Sequence, residues 1–223
     1  MKKPRTIFLM EDEVGERALS LAHSVGLEIN PTIVSDLDSL LAAFDETYDL
    51  LLSFGVGVIV PRHILETPGL IALNVHAASP EFPGRDPHHF AVYYGAKEYG
   101  ATLHHMIDKV DQGTIIDVEL FPVPEEVQPV DLLEKANLAG FELIRRLFWD
   151  FSNSGIERFL PKNPNISWAA RKFTRKDFLN LCRVDSSMTQ EEFCRRLKAS
   201  SMPGYNNLYT EIHGFRFYIN EFA

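Results

Sequence analysis

The chain has 223 residues, 45% of them hydrophobic, which suits one domain of ordinary size, or one with a small appendage, around a sizeable core. Its 31 acidic against 22 basic residues leave a formal net charge of -9, a surface that repels nucleic acid and anionic membrane and argues against both as partners. Two cysteines, Cys182 and Cys194, make neither a disulfide framework nor a metal motif, and no apolar run is long enough for a signal sequence or a membrane span, so a cytoplasmic protein is expected.

In chain order, residues 6–10 read as a buried strand and residues 15–25 as a helix with Ala18, Leu19, Leu21 and Ala22 on one side. A short strand at 31–34, a helix at 36–44, a strand at 49–53 and a strand at 70–76 follow. Strand and helix in alternation, with near-continuous apolar strands, predict a parallel sheet flanked by helices. Further on, a helix begins near Phe90, residues 102–106 and 114–120 pair as a hairpin, and residues 130–151 form a long amphipathic helix. The polar stretch 152–165, with Gly155, Pro161 and Pro164, reads as a linker. It divides a larger domain, 1–163, from a small C-terminal α+β domain, 164–223. The latter holds one helix near 189–199, with Thr189 and Glu192 as a capping box, and a hairpin around His213-Gly214.

Ligands of open α/β sheets bind beyond the carboxyl ends of the strands. The strand at 70–76 ends in Asn74 and His76, two positions apart and therefore on one face. An acid-rich loop later supplies Asp108 and Asp111, either of which could orient a histidine and favour its charged form. Asn offers an uncharged donor for a developing oxyanion. With no Ser or Cys nucleophile nearby, this set suggests direct attack by a substrate, His76 managing protons. Taken singly, His76 could be a core histidine, Asn74 a turn former and Asp111 a solvated acid. His88, His89, His104 and His105 raise a metal reading, but adjacent histidines on a strand face opposite ways and no acid or Cys falls at zinc-like spacing, so no metal is expected. Of the four, His88 is expected to border the site and the others to lie at the surface.

The stretch from Leu73 to Ile116 resembles the formyltransferase family that uses 10-formyltetrahydrofolate, through Asn74-Val75-His76, Pro83-Gly84, Gly100-Ala101-Thr102 and Asp111-Gln112-Gly113. The loop after His76 is one residue shorter than the family's. The resemblance implies that Asn74 binds the formyl oxygen, His76 carries the proton and Asp111 orients His76. It also implies a 10-formyltetrahydrofolate co-substrate, its pterin lying against the segment 57–61, with Val58 and Val60, under a loop, 107–110, that carries Asp108.

For the acceptor, the four acids of the first strand's loop, Glu11, Asp12, Glu13 and Glu16, oppose the phosphate of glycinamide ribonucleotide. A short C-terminal part and an acidic total charge oppose methionyl-tRNA. The resemblance is greatest to the nucleotide-sugar N-formyltransferases of surface polysaccharide (lipopolysaccharide) biosynthesis. Arg171, Lys172, Arg175 and Lys176 are then candidates for phosphate and base contacts, or simply a solvated face. A hydroxyornithine-type acceptor, a non-catalytic folate-binding protein and delivery of formyl to water stand as alternatives. The aromatic tail is compatible with a homodimer.

Overall fold

Residues 3–45, 47–155, 162 and 165–219 are described by the computed structural model. Four short apolar runs form the parallel half of one sheet: β1 (Thr6–Leu9), β2 (Thr32–Val34), β3 (Leu50–Phe54) and β4 (Ile71–His76). Two antiparallel strands, β5 (Glu98–His105) and β6 (Ile115–Pro122), extend it in the order β2-β1-β3-β4-β5-β6. The sheet is Rossmann-like over its first four strands, and the expected hairpin becomes its antiparallel edge.

Alternation along the strands sorts the core into two layers. Phe8 and Leu52 face helices α1 (Asp12–Ser24) and α5 (Pro129–Ser154), packing with Ala18, Ala22, Leu143, Leu147 and Phe148. Ile7, Leu9 and Leu51 face the other way, onto Leu40 of α2 (Leu37–Ala43) and Ile64 of α3 (Arg62–Leu65). Burial on both faces is why these strands carry no polar alternation. Helix α1 starts a turn before the position expected from its apolar spacing, because Asp12 and Glu13 suit the positive end of the helix dipole and need no apolar face. The short α3 left no periodic signal in the sequence.

The C-terminal section contains α6 (Arg175–Cys182), α7 (Gln190–Ser200) and the hairpin β7 (Tyr209–Ile212) and β8 (Phe215–Tyr218). His213 and Gly214 both take positive φ at the hairpin turn, as a two-residue connection requires. Helix α6 was not anticipated, although Thr174 caps it and forms a capping box with Asp177. At α7 only half the expected box exists. Thr189 accepts from the Glu192 N–H, but the Glu192 carboxylate turns to Tyr93 Oη at 2.8 Å and to Arg195 and Arg196. Phe173, Phe178, Leu181 and Ala199 share one cluster with Phe82, Phe90 and Ala91, the last two on helix α4 (Pro87–Tyr94), and with Leu132 of α5. Of the stretch read as a linker, residues 152–154 are the last turn of α5, while 156–161 and the boundary at 163–164 lie outside the described residues. Among the described residues no helix is long and apolar enough to cross a membrane.

Candidate active site

Asn74 and His76 occupy the last turn of pleat on β4, and the antiparallel register sets His104 opposite Asn74 and Thr102 opposite His76. That register produces a hydrogen-bonded relay. The His105 carbonyl can only accept, so His104 holds its proton on Nδ1 and donates it at 2.8 Å. His104 Nε2 then carries a lone pair and accepts from Asn74 Nδ2 at 3.1 Å. One amide hydrogen of Asn74 is thereby fixed, and its other is left to point at a bound group.

Asp111 completes the cluster from the loop between β5 and β6. Its backbone is left-handed, at φ 51°, and its carboxylate is buried, 5% exposed. Oδ2 accepts from the Gly84 N–H at 2.8 Å and stands 3.7 Å from His76 Nδ1, while Oδ1 stands 3.6 Å from His104 Nε2. Burial alone would push this carboxyl up. The positive charge of His76 or His104 when protonated, together with the Gly84 N–H, more than reverses that and holds it at about 2. His76 is shifted below the usual histidine value, chiefly by burial, with Asp111 and the Phe82 carbonyl pulling the other way. Its Nε2 lies 3.1 Å from Phe82 O and its Nδ1 faces Asp111, so a neutral ring satisfies one acceptor and a doubly protonated ring satisfies both. A protonated His76 ring is therefore paired at both nitrogens.

Two glycines make this geometry reachable. A Cβ on Gly84, where φ is 103°, would stand 2.1 Å from Phe173 O, and one on Gly113 would stand 1.8 Å from His105 O. Thr102 Oγ1 donates to Ala78 O at 2.7 Å and pins the start of the loop that leaves β4.

The structure thus brings Asn74, His76 and Asp111 together. Of Val58 and Val60, expected along the pterin, Val60 is buried in the core and Val58 packs partly buried against it. Asp108 is exposed, and its charge favours the charged Arg62 guanidinium, after the larger effect of Glu66. Ile59, Ile107 and Val110 are exposed apolar residues on the 57–61 segment and the 107–110 loop.

Three expectations need correction. His104 is 3% exposed and belongs to the site, because β5 lies inside the sheet between β4 and β6 rather than at the surface. His89 is equally buried and donates from Nδ1 to Ala199 O at 2.6 Å, tying α4 to α7. His105 is only partly exposed. His88 does lie close enough to His76 for their charges to interact; its Nδ1 is buried without a partner, and burial drops it to about 3. Arg171 and Arg175 are engaged within the chain, with Asp177 at 3.7 Å and Asp86 at 3.5 Å. One contributor was missed altogether: Trp168, whose ring stands edge-on to His76 and His104. Among the described residues no group of three or more His, Cys, Asp or Glu side chains could hold a metal ion.

An α/β sheet with Asn and His at the end of its fourth strand, and Asp beside them from the loop between β5 and β6, defines a class, and comparison with known proteins gives it a family. The family model described as formyl transferase matches residues 18–146, more than half of the chain, and the chain belongs to that family. The methionyl-tRNA formyltransferase of Listeria monocytogenes serovar 1/2a is 32% identical over 164 residues, covering 73% of this chain and 51% of that protein. The chain therefore spans about half the length of the curated relatives it matches. Among solved structures, a sugar N-formyltransferase from Shewanella sp FDAARGOS_354 superposes with a TM-score of 0.79 at 17% identity, over 100% of this chain and 98% of that one. An N-formyltransferase from Helicobacter canadensis, solved with folinic acid and dTDP-3-aminofucose, superposes with a TM-score of 0.66 at 18% identity, over 97% and 86%. These likenesses define the fold.

Proposed function

We propose that this protein transfers the formyl group of 10-formyltetrahydrofolate to the amine of an amino-deoxysugar carried on a nucleoside diphosphate. The observation that carries the chemistry is the Asn74–His76–Asp111 cluster, tied together by His104 and Gly84. The acceptor amine attacks the formyl carbon, and the carbonyl oxygen becomes an oxyanion. The free amide hydrogen of Asn74 holds it. His76 takes the amine's proton, and its two N–H groups then meet Phe82 O and the Asp111 anion. The bond from carbon to the folate nitrogen breaks, and that nitrogen receives the proton from His76. Folate recognition is assigned to the 57–61 backbone and the 107–110 loop.

The sugar acceptor is favoured by the end-to-end likeness to the Shewanella enzyme, whereas the tRNA enzymes are matched over half their length. The exposed acids Glu11, Asp12, Glu13 and Glu16 at the start of α1 oppose a phosphate there. A second reading, formyl transfer to methionyl-tRNA, is favoured by the sequence identity; a net charge of -9 weighs against it. The deciding experiment is thermal stability against folinic acid and then dTDP-, UDP- and GDP-linked amino sugars, followed by formyl transfer to each stabilising sugar and to methionyl-tRNA. A ligand that binds only the folded chain raises its melting temperature. Stabilisation by folinic acid and one sugar nucleotide, with transfer to that sugar, is the expected result. Transfer to tRNA alone would replace it with the second reading, and no response to folinic acid would remove both.

A further inference from the structure

The segment 165–173 runs against the site and is stitched to both loops that build it. Trp168 Nε1 donates to Gly113 O at 2.7 Å, next to the loop that carries Asp111. On the opposite side Ala169 N donates to Pro80 O, Phe173 N to Pro83 O, and Arg85 N to Phe173 O, each at 2.9 Å. Gly84, whose N–H holds Asp111, pairs directly with Phe173. Between these anchors the Trp168 ring stands 5.0 Å from His104 at 89° and 6.0 Å from His76 at 61°. Perpendicular contact of this kind fixes ring planes and fills the space where water would stand. Trp168 lies beyond the part of the chain that the family model covers.

We infer that Trp168 is a positioning residue that locks the two histidine rings and closes the site to water, so that an amine rather than water takes the formyl group. The inference rests on the formyl-transfer reading. The side reaction it suppresses is balanced: water oxygen attacks the formyl carbon, the bond to the folate nitrogen breaks, that nitrogen takes a proton, and formate and tetrahydrofolate leave. His76 is only 12% exposed with the ring in place. Removing the indole admits water beside a base and an oxyanion donor already set for acyl transfer.

The test uses the full chain with 10-formyltetrahydrofolate and no amine, and follows formate release. Trp168→Ala is expected to raise release about tenfold over the unsubstituted chain, with folinic acid still raising the melting temperature. Adding His76→Ala is expected to abolish the gain, because water then lacks its base. Trp168→Phe, which keeps a ring against the histidines and loses the tether to Gly113, is expected to release less than Trp168→Ala. A merely structural tryptophan would give only losses on substitution. Unchanged or lower formate release in a folded, folate-binding Trp168→Ala chain overturns the inference and leaves formyl transfer standing. If Trp168→Ala does not fold, Trp168→Leu carries the same comparison. Failure of the unsubstituted chain to respond to folinic acid overturns the formyl-transfer reading itself and this inference with it.

Discussion

Asp111 adopts a left-handed backbone at φ 51°, which an aspartate tolerates at modest cost, and that conformation turns its carboxylate inward onto the Gly84 N–H. The buried anion is thereby satisfied before any substrate binds. Asn74 has the complementary role of a neutral donor, and Asn74→Ala is expected to cut formyl transfer by about 10²- to 10³-fold with the fold unchanged, measured in single-turnover assays. Protonation at this site has a definite sign. Burial holds His88 at about 3, below its ordinary value, so the folded chain binds fewer protons there than the unfolded chain. That contribution is fully present above about pH 6.5 and is lost as pH falls towards 3, by up to roughly 1.4 kcal/mol per unit. Urea denaturation between pH 7 and 4 is expected to show the decline, and His88→Asn is expected to flatten it. Asn74, His76 and Asp111 were legible because alternation on one strand and a short motif suffice to find them. His104 was not: its place depends on the register between β4 and β5, which no local pattern encodes.

At the scale of elements, α5 is the organising helix. It buries Leu132, Ala136, Ala139, Leu143, Ile144 and Leu147 at helical spacing, and that periodicity made it readable. Gly140 lets it approach β3 and β4 closely, since a Cβ there would stand 2.6 Å from the Phe54 ring and 3.2 Å from Val75. Gly140→Ala is therefore expected to lose about 1–3 kcal/mol through overpacking, despite alanine's better helix propensity, seen as a lower urea midpoint with an unchanged slope. Arg146 of the same helix bridges Asp117 and Glu119 of β6 at 2.9 and 2.5 Å, so the antiparallel edge is clamped by charge as well as by strand pairing. Helix α6 was overlooked because it is only eight residues long, opens on the charged run Arg175-Lys176-Asp177 and buries only Phe178, Leu181 and Cys182. Its Thr174-to-Asp177 capping box was the available signal.

Across the whole molecule, the C-terminal section and the sheet share one apolar cluster. Phe173 is 4% exposed and stacks on Phe90 at 4.0 Å, with Phe82 at 6.1 Å. Phe173→Ala is expected to cost about 3–5 kcal/mol and to shift a single unfolding transition seen alike by circular dichroism and fluorescence. Two separated transitions would mark the section after the long helix as an independently folding unit. Proline and polar composition made 152–165 read as a linker, and most of that stretch lies outside the described residues; the backbone hydrogen bonds that tie the chain back to the loops of the sheet come just after it, at Ala169 and Phe173. Those bonds also order events in time. Translation produces Asn74, His76 and Asp111 well before Trp168 and Phe173 emerge, at about 5–20 residues per second. A nascent chain can pair its strands, yet its site stays open and its second apolar cluster uncovered until the crossing segment arrives. The crossing segment thus reaches the Asn74–His76–Asp111 cluster only after the sheet that carries it has been made.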